Sequence, residues 1–264
     1  MKKYWYLFKS NLAASLEYRG ALFTWLLVEL VSLTSSLFLW SAVFRTRTTV
    51  GSFDFTGILT YYLLIPIIGG FTSIFVSEHL PKKIKNGDIS ADLLKPYSIA
   101  FGTLINQFSI KLTQLTIKLP IYIGLGIFFL VLFHIQLQPH ALLLAFGICL
   151  FSYILHFSMD LCLSYLAFWV DDVWSFSLLK QVSLMVFGGL SFPLSLLPEF
   201  MKPLFWALPF RFIYYFPTAV AQGSLSNQTI LMDFSVLIAW TVGFLILGKI
   251  LWQKGLKKYS AYGN

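Results

Sequence analysis

Charge is what this sequence lacks. Aspartate, glutamate, lysine and arginine make up 11% of its 264 residues, where soluble domains carry roughly 25%. A surface so poor in charge cannot be solvated over a whole globule, so a soluble fold is excluded and most of the chain must face lipid or protein. Cysteine is almost absent as well. Cys149 and Cys162 lie 13 residues apart in one apolar stretch, roughly 20 Å along a helix and too far for a disulfide between them. They read as buried, reduced thiols. Catalytic signatures are missing: the sequence contains no G-x-x-x-x-G-K-[ST] phosphate loop, no G-x-S-x-G and no H-E-x-x-H. No further histidine or cysteine is spaced to complete a metal set.

What is present is apolar: 58% hydrophobic residues, 27 of them phenylalanine. Runs of about 20 apolar residues read as membrane spans, and six are expected, at 20–44, 57–77, 115–136, 141–170, 176–198 and 230–252. The third has its apolar core at 119–133, with helical sequence reaching back to about Phe101. Before them, residues 1–19 place Trp5, Phe8, Leu12 and Leu16 on one face, as an amphipathic helix lying in the headgroup layer does. The fold class is therefore all-α: a polytopic membrane protein in one domain, an interfacial helix plus six spans.

The formal charge of +8 follows from loop lysines and does not call for nucleic acid. With the N-terminus inside, fifteen cations fall on inner segments and four (Arg45, Arg47, Lys202 and Arg211) on outer ones. The positive-inside rule then puts both termini in the cytoplasm.

Three regions carry functional expectations. Residues 78–100 form the largest inner loop and mix charge (Glu78, Lys82, Lys83, Lys85, Asp88, Asp92, Lys95) with apolar anchors (Ile84, Ile89, Leu93, Leu94), a pattern suited to docking a soluble partner. Asn86-Gly87-Asp88 marks a turn, and Ser90 is expected to cap a short helix. Residues 193–217 hold five of the ten prolines. Proline breaks helices, so 199–222 is expected to form short re-entrant helices between spans five and six. Within the spans, Glu29, His156 and Asp160 are the buried ionisable candidates. His156 and Asp160, four apart, share a helical face. A proton-coupled secondary transporter using these three is the alternative reading. It calls for an internal repeat with matching broken helices, and the proline cluster occurs once. A membrane enzyme or a purely structural subunit is a weaker alternative.

The order of IKNGDISADLLKPYS (84–98), AFWVDDVW (167–174), GGLSFPLSLLPE (188–199), LPFRFIYYFPTAVAQG (208–223) and LWQKGLKKYSAYGN (251–264) resembles the ABC-2 type exporter permeases, in particular the stand-alone bacterial permeases of about this length. The resemblance implies a subunit of the bacterial inner membrane that pairs with a copy of itself or a sister permease. It also implies two separate ABC ATPase subunits, which hold the ATP and Mg, so that this chain binds no cofactor and is no enzyme. Residues 78–96 would hold the coupling helix, and Trp169, Asp171 and Asp172 a second, smaller contact with the ATPase. Residues 1–19 would be the interfacial elbow. The outer re-entrant segment, with Glu199, Trp206, Arg211, Tyr214 and Tyr215, would close the exit as transport alternates access across the membrane.

Overall fold

The computed structural model describes residues 2–17 and 19–259. Met1, Tyr18 and the last five residues of the cationic tail lie outside the described residues. No strand forms among the described residues beyond a single bridge between Val50 and Phe53. The backbone is helical because most of its amides sit where water is absent, and a helix satisfies them within the segment.

Helix α1 (Lys2–Glu17) is followed by α2 (Arg19–Val43), then α3 (Phe55–Thr72). The start of α3 is fixed by Asp54, whose side chain accepts from the Gly57 amide at 2.8 Å, supplying an acceptor to an otherwise unpaired donor of the first turn. After α3 come a 3-10 turn at Val76–Glu78 and two short helices, α4 (Leu80–Lys85) and α5 (Ile89–Leu93). Helix α6 (Ile99–Leu132) is capped by Ser98, which accepts from the Phe101 amide at 3.3 Å. Its 34 residues span about 50 Å, well beyond a hydrocarbon core of about 30 Å. Helix α7 (Pro139–Tyr165) runs on into a 3-10 turn at Leu166–Phe168, and α8 covers Trp174–Phe187. The irregular stretch beyond it carries α9 (Lys202–Ala207) and α10 (Tyr215–Ala221). Helix α11 (Asn227–Lys258) closes the bundle, with Ser226 capping it through the Thr229 amide at 3.2 Å.

Five of these helices (α2, α3, α6, α7 and α11) are long and apolar enough to cross a membrane. The segment expected as span five differs. It is helical only over the 14 residues of α8, about 21 Å, and cannot cross the core as one helix. The helix stops at Gly188-Gly189, where Gly189 takes a φ of +88°, open to glycine and costly for other residues. Span two likewise ends at Thr72 rather than at 77.

Core packing follows from the apolar faces. One cluster joins α3, α7, α10 and α11 through Ile58, Tyr61, Leu155, Phe216 and Leu237. A second lies at the loop end of the bundle, where Leu80, Ile84 and Ile89 pack on Phe157, Tyr165 and Phe168. Helix α1 lies against the start of α6. Tyr4 is 4.8 Å from Phe101 ring to ring, and Ser15 bonds Thr113 at 2.5 Å. Trp5 and Leu16 remain exposed on its far side.

Candidate functional site: a clamped end loop and a polar-floored cavity

Residues 76–95 fold into a compact cap with two unlike faces. Leu80 and Ile84, one turn apart on α4, point inward with Ile89 and are buried. Two of the four expected docking anchors, Ile84 and Ile89, are thus core. The outward face carries Lys82, Lys83, Asp88, Leu93, Leu94 and Lys95, all exposed, with Leu94 at 88%. Asn86-Gly87-Asp88 makes the expected turn, with Gly87 at a φ of +83°. Ser90 does not cap α5. Asp88 occupies the cap position without a side-chain bond, and the Ser90 hydroxyl meets Tyr259 Oη at 2.9 Å instead.

Asp92 ties the cap internally, accepting from Lys95 at 2.6 Å and Lys83 at 3.1 Å. Burial alone would raise its carboxyl, but the bonds from these two ammonium groups outweigh that and hold it below the ordinary range. Lys85 reaches Asp171 at 2.9 Å, joining the cap to the short turn between α7 and α8. Asp172, beside it, accepts from the Trp174 amide at 2.8 Å and the Ser175 hydroxyl at 2.6 Å, and so opens α8. Trp169 stays exposed on the same end of the molecule. The Tyr259 hydroxyl at the end of α11 donates to Gly87 O at 2.9 Å.

The other end of the cap is held from inside the bundle. Asp160 of α7 is wholly buried and accepts from the Ser77 amide at 3.0 Å and from Lys180 Nζ of α8 at 2.5 Å. The Ser177 hydroxyl donates to Ser77 O at 3.4 Å, and Gln181 donates to Glu78 at 3.4 Å. His156 lies on the same face of α7, with Nδ1 2.9 Å from Thr72 O. His156 and Asp160 therefore have separate partners, and both grip the exit of α3 into the loop. Lys180, the decisive partner, is a residue that reading by loops passes over as one more inner cation.

Glu29 belongs elsewhere. It lines a cavity of about 620 Å³ between α2, α3 and α6. Lys118 donates to its carboxylate at 2.6 Å, and the Tyr122 hydroxyl donates as well. Ser73 and Gln114 line the same cavity, and Ser73 accepts from buried Lys111 at 2.5 Å. The remaining wall is largely apolar, including Leu33, Ile65, Leu115 and Met185. His156 and Asp160 do not line it.

Beyond α8 the non-helical backbone of 188–191 is satisfied by tyrosines. Tyr61 Oη donates to Gly189 O and Tyr62 Oη to Ser191 O, each at 2.6 Å, and the Tyr215 amide donates to Gly188 O at 2.9 Å. Arg211 is buried and bidentate on Asp233 of α11, with one bond at 3.1 Å, and its guanidinium lies 5.1 Å from the Trp206 ring. Tyr214 and Tyr215 are buried, whereas Glu199 pairs with Lys202 on the surface at 2.5 Å. The expected outer group is thus divided: Arg211, Trp206 and Tyr215 pack together, Tyr214 lines the cavity with its ring 6.4 Å from that of His156, and Glu199 lies outside both.

Among curated proteins, none matches the chain significantly. A family model described as ABC-2 family transporter protein matches residues 30–263. That range takes in the long loop, the Arg211–Asp233 core and the cavity lining apart from Glu29. The chain is a multi-pass membrane protein that belongs to the ABC-2 transporter family, as a transmembrane permease that works with an ABC ATPase.

Proposed function

We propose that this permease serves an ATP-binding-cassette exporter and takes its drive through the 76–95 cap. The observation that carries the reading is the two-faced build of that cap. Its inner face is locked to α7, α8 and α11, while Lys82, Leu93 and Leu94 face outward. An exposed leucine pair ringed by cations, on a cap that cannot move without its clamps, suits transient docking. The apolar residues supply affinity and the charges supply partner choice. Trp169 and Asp171 widen the same surface. Two ATPase subunits would bind one pair of permeases, either two copies of this chain or this chain with a sister. ATP and Mg would stay on the ATPases, and both termini would face the cytoplasm of the bacterial inner membrane.

The cavity beside Glu29 is the candidate cargo route, and the Arg211–Asp233 core the candidate outer closure. ATPase closure would pull the cap, the cap would pull Ser77, and the Asp160–Lys180 joint would pass the displacement to α7 and α8. The proton-driven alternative has little support. His156 and Asp160 are committed to backbone and lysine partners and do not line the cavity.

The test is co-purification of tagged protein from native membranes in mild detergent. The comparison is wild type beside Lys82→Glu combined with Leu94→Asp. Neither side chain has an ion pair or a hydrogen bond among the described residues, so the variant is expected to fold. An ATPase that travels with wild type and is lost from the variant supports the docking face. Equal recovery in both overturns it.

A further inference from the structure

A second cavity, of about 360 Å³, lies between the end of the cap, the start of α6 and the far halves of α7 and α11. Leu161, Tyr165, Phe244, Trp252 and Leu256 form much of its wall, with Leu93 and Tyr97 on the cap side. Its lining includes one charged side chain, Lys249, and no acid. Lys249 is exposed and has no ion-pair partner among the described residues. The depth of the slot is marked by α1, the amphipathic helix. Lys3 of α1 donates to Pro96 O, and Tyr4 lies 6.3 Å from the Tyr97 ring. Tyrosine, tryptophan and lysine at this level are the residues that sit among headgroups.

The wall is mostly apolar, with Ser98, Ser158 and the tyrosines spaced along it, a lining better matched to an acyl chain than to ordered water. At this depth the material at hand is an acyl chain. The sign of its headgroup follows from the surrounding charges. Lys249 supplies the positive charge of the lining. The acids adjacent in sequence to lining residues, Asp92 beside Leu93 and Asp160 beside Leu161, are each already paired with lysine. We propose that this slot binds an anionic phospholipid, one acyl chain lying between α6 and α11 and the phosphate against Lys249. Anionic lipid is drawn to cations at the membrane surface. Because Leu93 and Tyr97 close one side, the bound lipid would also brace the end of the docking cap. The leaflet rests on the cytoplasmic placement of that cap proposed above, whereas the site itself needs only the bilayer.

Trp252 is a built-in reporter. The purified protein is placed in phosphatidylcholine vesicles carrying an equal small fraction of brominated phosphatidylglycerol or brominated phosphatidylcholine. Tryptophan quenching is then measured for wild type and for Trp252→Phe, whose difference isolates Trp252. Brominated phosphatidylglycerol is expected to occupy the slot about fivefold more readily than the choline lipid, the scale set by one lysine at a membrane surface. Lys249→Gln should level the two lipids and Lys249→Arg should keep the preference. Equal quenching of Trp252 by both lipids in wild type overturns the headgroup assignment. No quenching of Trp252 by either lipid means that protein covers the slot, and overturns the site. No ATPase is present in this assay, so its failure leaves the docking reading standing, and loss of docking leaves the slot standing.

Discussion

Three acids in the apolar segments each meet a basic partner: Asp160 with Lys180 and Asp233 with Arg211, both pairs buried, and half-exposed Glu29 with Lys118 at the cavity wall. The rule behind the pattern is that an ion in hydrocarbon must be paired. A close reading of the spans has part of the signal for it, since 20–44 and 141–170 each carry a single acid (Glu29, Asp160) and 115–136 and 176–198 each a single lysine (Lys118, Lys180). Which acid meets which cation is set by helix packing and is not visible in spacing. Buried pairs are weak sources of net stability but costly to break by halves. Lys180→Met is therefore expected to destabilise the protein by about 3–5 kcal/mol, by leaving Asp160 charged and alone. Asp160→Asn combined with Lys180→Met should recover much of that loss, because the asparagine oxygen can still accept from the Ser77 amide. Thermal unfolding in detergent measures both, and equal losses for the single and double variants would show that the pair is not coupled.

At the scale of the element, the broken end of α8 is where sequence and structure part. The proline cluster leads to an expected span running to 198 with the broken segment at 199–222, whereas the helix has already ended at Phe187. Glycine and not proline stops it, and tyrosines far away in sequence make the stop tolerable by donating to carbonyls that hydrocarbon would leave bare. An added Cβ at Gly189 would come 2.7 Å from Tyr61 Oη and 2.9 Å from Tyr215 Cβ, on a backbone with φ at +88°. Gly189→Ala is expected to cost about 1–3 kcal/mol. Gly124→Ala, inside α6 where nothing lies within 4 Å, should be neutral or stabilising by about 0.5–1 kcal/mol. Comparing the melting temperatures of the two variants is the check. A Gly189 variant as stable as the Gly124 variant would remove the argument for a tyrosine-held break.

For the whole molecule, orientation is the property that cation asymmetry addresses most directly. The docking cap and the Ser226–Asn227 start of α11 lie on opposite sides of the membrane in that reading. A cysteine placed at exposed Asp88 is expected to react with an impermeant maleimide only after the membrane is opened. One placed at exposed Asn227 should react with intact cells. The native cysteines are buried and leave the background low. Labelling in the reverse order would invert the orientation and move the cap away from any cytoplasmic ATPase.

Composition by itself determined the solvent of this protein: too few charges to face water, and apolar runs long enough to face lipid. It also determined the helical class, because only helices or closed barrels satisfy a backbone in hydrocarbon and the runs are too long and unbroken for strands. The loop sequence marked residues 78–100 as a docking segment and 199–222 as a broken one. Tertiary structure decided which residues of the loop are exposed. It buries Ile84 and Ile89 and leaves Leu93 and Leu94 outside. It also separated Glu29 from His156 and Asp160, assigning the first to a cavity and the others to the joint behind the loop. Neither outcome is local. Each depends on which helix faces are pressed together, and that choice is made by the packing of the whole bundle and not by the spacing of residues along one segment.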